Sequence, residues 1–288
     1  MKYKVLFITC KGKGGSNVSL RNTLFQIKDK VDIYLVVPDE ETYQFFSKIE
    51  NKKIFYFKFY IYPQSKTFID KLFWLPKLIL HNIVNRISFY RILRLYKGKI
   101  QLVHTNSSIL DIGERIACKL KIPHVWHLRE YIDKDFNFVP LPSMLKYKKR
   151  IRSNNTITIT RDLEQHFNLQ ARNKVIYNGI LSKFKQLPNN DDKNYFLYVG
   201  SITADKGFDE LCDAYKNYIS EISNPRKLLV VGSPASQQYL AEIKERINQC
   251  DLKDNIEFLG QLDLADTEEY MRNASALIVP SLFEAFGR

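Results

Sequence analysis

Residues 1–18 read MKYKVLFITCKGKGGSNV, which sets out a strand, a turn and the start of a helix. The run Val5–Ile8 is apolar without alternation, as is typical of a strand covered on both faces in a parallel sheet. A glycine-rich turn over residues 12–15 follows, and a helical run begins at Val18. A strand, turn and helix in this order favour an α/β fold built from parallel strands.

The same alternation continues along the chain. Strands are predicted over Val5–Ile8, Val31–Val37, Ile54–Phe59, Leu102–His104, His124–Leu128, Thr156–Thr160, Tyr195–Val199, Lys227–Val231, Ile256–Leu259 and Ala276–Val279, with later helices around Phe208–Ser220, Ser236–Gln249 and Asp266–Asn273. The polar stretch LPNNDDKN (187–194) interrupts the pattern and is typical of a linker. We therefore expect an N-terminal domain over 1–185, a linker over 186–194 and a C-terminal domain over 195–288, the two domains facing a cleft.

Composition narrows the class of protein. A chain of 288 residues should hold about two domains. Hydrophobic residues make up 45% and charged residues 26%, which excludes disordered, collagen-like, coiled-coil and disulfide-rich proteins. The net charge of +13 predicts a surface that attracts polyanions, anionic lipid or phosphorylated ligands. The four scattered cysteines lack metal-binding spacing and indicate reduced thiols in a cytosolic protein.

Three loops carry candidate chemistry. The turn at residues 12–15 fits either phosphate binding at a helix N-terminus or a plain tight turn. Lys206 and Gly207 open a helix soon after the strand that ends at Gly200, so Lys206 is either a diphosphate ligand or a solvated lysine. Glu284 follows a strand in VPSLFEAFGR (279–288), where it could accept sugar hydroxyls or interact with a helix N-terminus.

Taken together, these motifs carry a family resemblance. The ordered set is Tyr198–Gly200 with Lys206 and Gly207, Val230–Gly232, Phe258–Gly260, and Pro280 and Ser281 with Glu284–Gly287. It resembles the donor-binding half of the retaining family 4 (group 1) glycosyltransferases of the GT-B fold. Val175–Gly179 resembles that family's segment before the interdomain linker, and Gly14 with Gly15 matches its first loop. The resemblance implies two Rossmann-like, doubly wound domains.

The resemblance also implies roles for individual residues. Lys206 would pair with the diphosphate of a nucleotide sugar, and Glu284 would contact the donor sugar. His127, in WHLRE (126–130), would touch the donor sugar as well; without the resemblance it would be an ordinary histidine at the end of a strand. The implied catalytic residues are Glu284, His127 and Lys206, and the implied donor-binding residues are Gly15, Gly200, Ser201, Lys206, Gly232, Glu284, Phe286 and Gly287. No metal and no cofactor are expected.

Two departures from the family pattern affect the expected activity. Ser201 stands where the family commonly carries arginine, so one diphosphate cation is missing or comes from elsewhere. The family's second glutamate would fall eight residues after Glu284, beyond Arg288. We therefore expect a C-terminal domain that is incomplete, truncated at its C-terminus, and a 288-residue chain that binds donor weakly or not at all.

A basic, aromatic stretch between Phe55 and Lys99 suggests a partner. Its bases are Lys58, Lys66, Lys71, Lys77, Arg86, Arg91, Arg94, Lys97 and Lys99, against the single acid Asp70. Bases interleaved with aromatic residues suit an anionic membrane surface, and the basic run Lys146–Arg152 could join that face. The alternative is that the aromatic residues are core and the bases a solvated face.

The resemblance implies a retaining glycosyltransferase that moves a sugar from a nucleotide diphosphate sugar to a glycan or lipid-linked acceptor. The pathway that the resemblance implies is bacterial surface polysaccharide synthesis. The expected location is the cytoplasm, with peripheral binding to the inner face of the membrane as an open alternative. Two other functions remain open: an inactive truncated remnant, and a basic nucleic-acid-binding protein that lacks any recognised nucleic-acid motif.

Overall fold

The structure is a computed structural model that describes residues 2–55, 61–63, 68–136, 138–140, 143–179, 194–234 and 236–286. Two compact units make up the chain. Unit 1 consists of Met1–Leu181 and Ala285–Arg288, and unit 2 of Ser182–Glu284. Most of the predicted linker, 186–194, lies outside the described residues.

Unit 1 is built on a parallel sheet with the strand order β3-β2-β1-β5-β6-β8-β9. Its seven strands in the described residues are β1 (Tyr3–Thr9), β2 (Val31–Val37), β3 (Lys52–Ile54), β5 (Leu102–Asn106), β6 (His124–Leu128), β8 (Asn155–Thr158) and β9 (Asn173–Val175). The chain leaves β1 toward β2 and β3 and then returns to the other side of β1 at β5. This reversal makes the crevice between the carboxyl ends of β1 and β5 the ligand-binding edge of the sheet.

Helices and one small ribbon complete unit 1. The helices are α1 (Gly15–Ile27), α2 (Glu40–Phe45), α3 (Phe68–Tyr96), α4 (Ile112–Leu120), α5 (Asp133–Phe136), α6 (Met144–Arg152) and α7 (Arg161–Phe167). Side chains at Asp39, Ser143 and Thr160 cap α2, α6 and α7 by accepting a backbone N–H. Strands β4 (Ile61–Pro63) and β7 (Phe138–Pro140) pair antiparallel.

The core of unit 1 lies on both faces of the sheet. Val5 and Phe7 of β1 pack into one buried cluster, whereas Leu6 and Ile8 pack into another. Successive side chains of a strand point to opposite faces, so an unbroken apolar run is what a sheet covered on both sides requires. The sequence-based expectation for this strand is confirmed.

Unit 2 repeats the plan on a smaller scale. Its described strands, β10 (Tyr195–Val199), β11 (Lys227–Val231), β12 (Ile256–Gly260) and β13 (Ala276–Ile278), form a parallel sheet in the order β12-β11-β10-β13. Its helices are α8 (Phe208–Glu221), α9 (Gln237–Gln249) and α10 (Leu264–Asn273). The chain reverses direction across this sheet between β10 and β13, which puts the ligand-binding edge at their carboxyl ends.

Most predicted elements match the structure closely, and the differences are local. The helix after the first turn begins at Gly15 rather than Val18. The strand expected over 54–59 overlaps β3 only at Ile54; Phe55 lies beyond the strand, and residues 56–60 lie outside the described part. All four cysteines are free. The sequence predicts them as reduced core thiols, but only Cys212 is buried, and Cys118 is exposed.

The two basic stretches differ in their surroundings. In α6, Arg150 pairs with Asp111 and Glu114 of unit 1, and Tyr147 and Ile151 are buried, so this run has a packing role. The other stretch contains α3, a helix of 29 residues. Among the described helices, α3 included, none is long and apolar enough to cross a bilayer.

Candidate functional site

The topology of unit 2 explains why Lys206 and Glu284 meet although 78 residues separate them. Lys206 lies in the loop after β10, and Glu284 lies in the loop after β13. Because β10 and β13 pair in parallel, both loops leave the same edge of the sheet at its reversal point. The two residues of this unit with an implied catalytic role are therefore neighbours.

The segment after β10 is shaped by a short helical turn. Residues Ala204–Lys206 form a 3-10 turn, and Gly207 follows with φ +69° before α8 begins. A Cβ atom at Gly207 would collide with the carbonyl oxygen of Pro280. Position 207 thus requires glycine for two reasons: its backbone conformation, and the close approach of the β13 loop that carries Glu284.

A second close approach joins the ends of β10 and β11. The N–H of Gly200 donates to Val231 O (3.0 Å), and the N–H of Gly232 donates to Gly260 O (2.8 Å). Gly232 has φ +149°, and a Cβ atom there would collide with the carbonyl oxygen of Gly200. These backbones pack at a distance that only glycine permits at position 232.

Lys206 and Glu284 form an ion pair on this edge. Lys206 Nζ donates to Glu284 Oε2 at 2.8 Å, and each side chain is 33% exposed. A pair this accessible to water contributes only about 0–1 kcal/mol to stability. The ion pair can therefore be broken at low cost. The ammonium can then bind an anion, and the carboxylate can accept hydrogen bonds from hydroxyl groups.

Ser201 and Tyr198 complete the described surroundings of the pair. Ser201 is exposed, and its carbonyl oxygen accepts a hydrogen bond from Tyr198 Oη at 2.7 Å. Burial, with the carboxylates of Asp205 and Glu284 nearby, raises the pKa of Tyr198 to about 12. Tyr198 is thus a neutral donor that holds the loop beginning at Gly200.

In unit 1, two asparagine side chains hold the glycine-rich turn in place. Asn17 Nδ2 donates to Cys10 O (2.9 Å) and Gly12 O (2.6 Å), and its Oδ1 accepts from Thr9 Oγ1. Asn106, at the end of β5, donates to Thr9 Oγ1 (3.1 Å) and Ser16 O (3.2 Å). Gly15, the predicted donor-binding residue, is the first residue of α1 within this framework.

Arg129 is the centre of the same network. Its side chain is almost completely buried, with the residue 5% exposed. Its Nε donates to Asn106 Oδ1 (2.6 Å), and its Nη1 donates to Asn178 Oδ1 (2.7 Å). One guanidinium therefore connects the strand that carries His127, the strand that supports the glycine turn, and the segment after β9.

His127 lies in β6 beside this guanidinium. Arg129 Nη2 is 3.5 Å from His127 Nδ1, and the His104 ring packs edge-on against the His127 ring. Burial, then Arg129 and His104, holds the pKa of His127 well below its usual range. A guanidinium only donates, so we assign the lone pair to Nδ1 and the proton to Nε2. Within the described residues, Nε2 is buried without a hydrogen-bond partner.

Glu130 lies next to Arg129, and its carboxylate is also buried. Its Oε2 accepts from Ser107 Oγ (3.1 Å) and from the N–H of Ser108 (2.8 Å). Burial raises the pKa of Glu130, and these hydrogen bonds and Arg129 offset only part of that effect. Its contacts lie in the loop after β5, so Glu130 supports that loop.

The remaining predicted residues fall at the C-terminal end. Ala285 is buried in a cluster of unit 1, and Phe286 packs against that cluster. Gly287 lies outside the described residues. In the described ranges, no group of three or more His, Cys, Asp or Glu side chains is arranged to hold a metal ion.

Sequence reasoning found the charged pair but missed the buried network. Within unit 2, Lys206 contacts Glu284 and Gly232 contacts Gly200, while His127 and Gly15 belong to unit 1. Arg129, Asn106 and Asn17 received no role from the sequence. The position of Asn106 in the sequence could have indicated its role. It ends a buried strand and begins the polar run Asn106–Ser108, at the carboxyl edge of the sheet where ligands bind.

Comparison with known proteins identifies the C-terminal part. Residues 180–288 match the family described as "Glycosyl transferases group 1". An uncharacterised glycosyltransferase of Methanocaldococcus jannaschii is 30% identical over 198 residues, which cover 65% of this chain and 51% of that protein. The alpha-monoglucosyldiacylglycerol synthase of Streptococcus pneumoniae is 26% identical over 219 residues, or 66% of this chain and 48% of that protein. The chain thus spans about half the length of these relatives.

Solved structures match nearly the whole chain. The crystal structure of Anabaena HepE in complex with UDP and glucose has a TM-score of 0.71 at 17% identity, covering 99% of this chain and 76% of HepE. Likeness at this level of identity concerns the fold alone. The fold of this chain is GT-B, which confirms the fold class that the sequence motifs implied.

Proposed function

The chain belongs to the group 1 glycosyl transferases through its residues 180–288, and from that premise we propose that it is a retaining glycosyltransferase. The observation that carries the proposal is the Lys206–Glu284 pair, 2.8 Å apart at the reversal point of the unit 2 sheet. An ammonium and a carboxylate at this edge match the two parts of a nucleotide diphosphate sugar: an anionic diphosphate and a hydroxyl-bearing sugar.

In the proposed reaction, Lys206 binds the donor diphosphate and stabilises the charge that develops on the leaving phosphate. The bond between the anomeric carbon and the diphosphate oxygen breaks, and the acceptor hydroxyl oxygen bonds to the same carbon on the same face. The acceptor proton leaves with the nucleoside diphosphate. Glu284 accepts hydrogen bonds from donor-sugar hydroxyls and holds the sugar in place.

The other predicted residues have supporting roles. The neutral His127 ring offers its Nε2 proton to a donor-sugar hydroxyl, a role that needs no charge change at neutral pH. The family resemblance assigns further donor-binding roles to Gly200, Ser201 and Gly232 of unit 2, and to Gly15, Phe286 and Gly287. The reaction as proposed uses no cofactor and no metal.

We infer the donor and acceptor classes from relatives. A bound UDP and glucose in the HepE structure favours a UDP-hexose donor for this chain. The name of the diacylglycerol-glucosylating relative favours a lipid-linked acceptor over a free glycan. We propose that the chain acts in the cytoplasm, at the inner face of a membrane, in bacterial surface polysaccharide synthesis.

The test is sugar transfer by the full chain. UDP-hexoses are presented with diacylglycerol vesicles or soluble glycans, and the readouts are UDP release and the anomeric configuration of the product. Lys206→Ala and Glu284→Gln should each lose transfer, whereas Lys216→Ala and Glu221→Gln, exposed on α8, should retain it. Transfer that survives in both site variants contradicts the site, and an inverted product contradicts the retaining mechanism.

A further inference from the structure

A pocket of about 370 Å³ lies in unit 2 against one side of α10. The residues of α10 that line it are Asp266, Glu269, Tyr270 and Asn273. Steps of three, four and seven residues from Asp266 put these side chains on one face of the helix. Tyr195, the first residue of β10, also lines the pocket. The volume falls in the range of about 300–1,000 Å³ that is typical of sites for small molecules.

This pocket is separate from the candidate donor site. The carbonyl oxygen of Tyr195 accepts the N–H of Ser275 (2.9 Å), the residue just before β13. This contact lies at the amino ends of β10 and β13, whereas Lys206 and Glu284 follow the carboxyl ends of the same strands. The five residues of β10, at about 3.3 Å each, separate the two regions. A ligand of the pocket therefore does not take the position proposed for the donor diphosphate.

The pocket is acidic. Asp266 and Glu269 are exposed, and neither forms an ion pair with a described residue. No lysine, arginine or histidine is among the described residues that line the pocket. A cleft lined by charges of one sign concentrates ions of the opposite sign. In a chain whose net charge is +13, two unpaired carboxylates in one pocket thus indicate a cationic ligand.

A buried amide adds a third acceptor to the pocket. Asn273 is only 3% exposed, and its Oδ1 is buried without a hydrogen-bond partner among the described residues. A buried polar atom that is left unpaired typically costs about 1–3 kcal/mol. A ligand that donates a hydrogen bond to this oxygen removes the cost. The amide and the two carboxylates therefore favour the same kind of ligand, one that carries hydrogen-bond donors.

Two tyrosines give the pocket an aromatic wall. The rings of Tyr195 and Tyr270 meet at 61°, with centroids 6.3 Å apart. Tyr195 Oη donates to the carbonyl oxygen of Tyr270 (2.8 Å), which fixes the Tyr195 ring against α10. Burial, then Tyr270 and Glu269, raises the pKa of Tyr195, so its phenol stays neutral. Aromatic rings attract ammonium groups and pack against methylene groups.

We propose that this pocket binds a linear polyamine. One ammonium group pairs with Asp266 and Glu269, a second donates to Asn273 Oδ1, and the methylene chain between them packs against the Tyr270 ring. Asp266 and Asn273 are seven residues apart, or about 10 Å along the helix axis. Acceptors spread over this length suit ammonium groups at separate positions better than a single cation. The competing occupant is a calcium ion, which also binds carboxylate and amide oxygens.

This inference goes beyond the proposed sugar transfer and does not rest on it, because the pocket requires neither donor nor acceptor. The test is calorimetric titration of spermidine into the full chain at about 0.15 M salt, which screens attraction between distant exposed charges. We expect saturable binding of one spermidine per chain. Butylamine, which has a single ammonium group, should bind about 10-fold or more weakly, because it loses one charged hydrogen bond.

Three variants locate the site. Glu269→Gln removes a carboxylate from the pocket and should weaken spermidine binding about 10- to 100-fold, since a hydrogen bond to a charged group contributes about 1.5–3 kcal/mol. Asn273→Leu removes the buried acceptor and should weaken binding as well. Glu268→Gln is the matched control: it removes the same charge from the next position of α10, which is not among the residues that line the pocket, and should bind as the wild type does.

Urea unfolding checks that each variant is folded. Absence of saturable spermidine binding by the wild type overturns the proposal, as does butylamine binding of equal affinity. Equal weakening by Glu268→Gln and Glu269→Gln also overturns it, because the attraction then belongs to the acidic helix as a whole. Calcium chloride is titrated in parallel. Calcium binding that displaces spermidine and is lost in Glu269→Gln assigns the pocket to a metal ion instead.

Discussion

In unit 2, the candidate residues are charged, a third exposed and positioned by backbones that approach at Gly207 and Gly232. In unit 1, His127 and the glycine turn adjoin a buried hydrogen-bond network centred on Arg129. The first arrangement leaves its charges available for exchange with a ligand. The second holds a neutral imidazole and a glycine turn in one geometry. The two units therefore differ in what a substitution should damage: ligand binding in one, folding in the other.

The largest expected effect is the loss of the Arg129 guanidinium. Arg129→Met removes the donor to Asn106 and Asn178 and leaves the buried Asn106 oxygen unpaired. It also removes the cation that partly offsets the burial of the Glu130 carboxylate. Leaving a buried charge without its partner typically costs about 3–5 kcal/mol. Urea unfolding measures the loss of free energy of unfolding. The exposed Arg161→Met is the matched control and should change it by less than about 0.5 kcal/mol. Equal losses in both variants would show that the network does not hold unit 1 together.

A backbone substitution in unit 2 should have the next largest effect. Gly232→Ala forces a Cβ atom against the carbonyl oxygen of Gly200 at φ +149°. A residue held in such a conformation costs about 1–3 kcal/mol. Gly179→Ala is the matched control, because a Cβ atom there meets no heavy atom within 4 Å. If urea unfolding shows no difference between the two alanine variants, the β10 and β11 ends are not fixed by this contact.

The pH dependence of stability should come mainly from the histidines of unit 1. Burial lowers the pKa of His104 from 6.5 to about 3, and the pKa values of His124 and His127 are lowered as well. Below pH 6.5 these histidines bind protons in the unfolded chain but not in the folded chain, so stability falls as the pH falls. Each histidine contributes up to about 1.4 kcal/mol per pH unit.

His104→Phe tests this assignment. Between pH 6.5 and pH 5, the free energy of unfolding measured in urea should depend less steeply on pH in the variant than in the wild type. The slope should decrease by the contribution of one histidine, at most about 1.4 kcal/mol per pH unit. The raised pKa of Glu130 has the opposite effect, because it lowers stability as the pH rises above the ordinary pKa of a glutamate. Glu130 is present in both the variant and the wild type. An unchanged slope in His104→Phe would mean that the acid sensitivity originates outside this cluster.

The same contrast explains what the sequence could predict. The strands Tyr195–Val199 and His124–Leu128 were predicted with their observed bounds. Tyr195–Val199 has no charged residue, as is typical of a strand covered on both faces. The Lys206 and Glu284 loops were found because the glycines and charges lie at short, fixed spacings next to strands. Topology then explains their contact, since both loops leave one edge of the sheet.

The network in unit 1 could not be predicted in the same way. Asn17, Asn106, Arg129 and Asn178 come from four separate segments, and each is ordinary in its local context. Their roles arise from side-chain geometry that only the packed sheet creates. Helix α3 was not predicted as a helix: its bases and aromatic residues are visible in the sequence, but apolar residues on several sides of the helix conceal which side is exposed.

The measurement that tests the account most directly is calorimetric titration of UDP into the full chain and its Lys206→Ala variant. A hydrogen bond from a charged donor contributes about 1.5–3 kcal/mol, so the variant should bind UDP about 10- to 100-fold more weakly than the wild type. Its stability should change by no more than about 1 kcal/mol, because the ion pair with Glu284 is exposed. Lys216→Ala should bind as the wild type does. Equal affinity in the wild type and Lys206→Ala would contradict the assignment of Lys206 to the donor diphosphate.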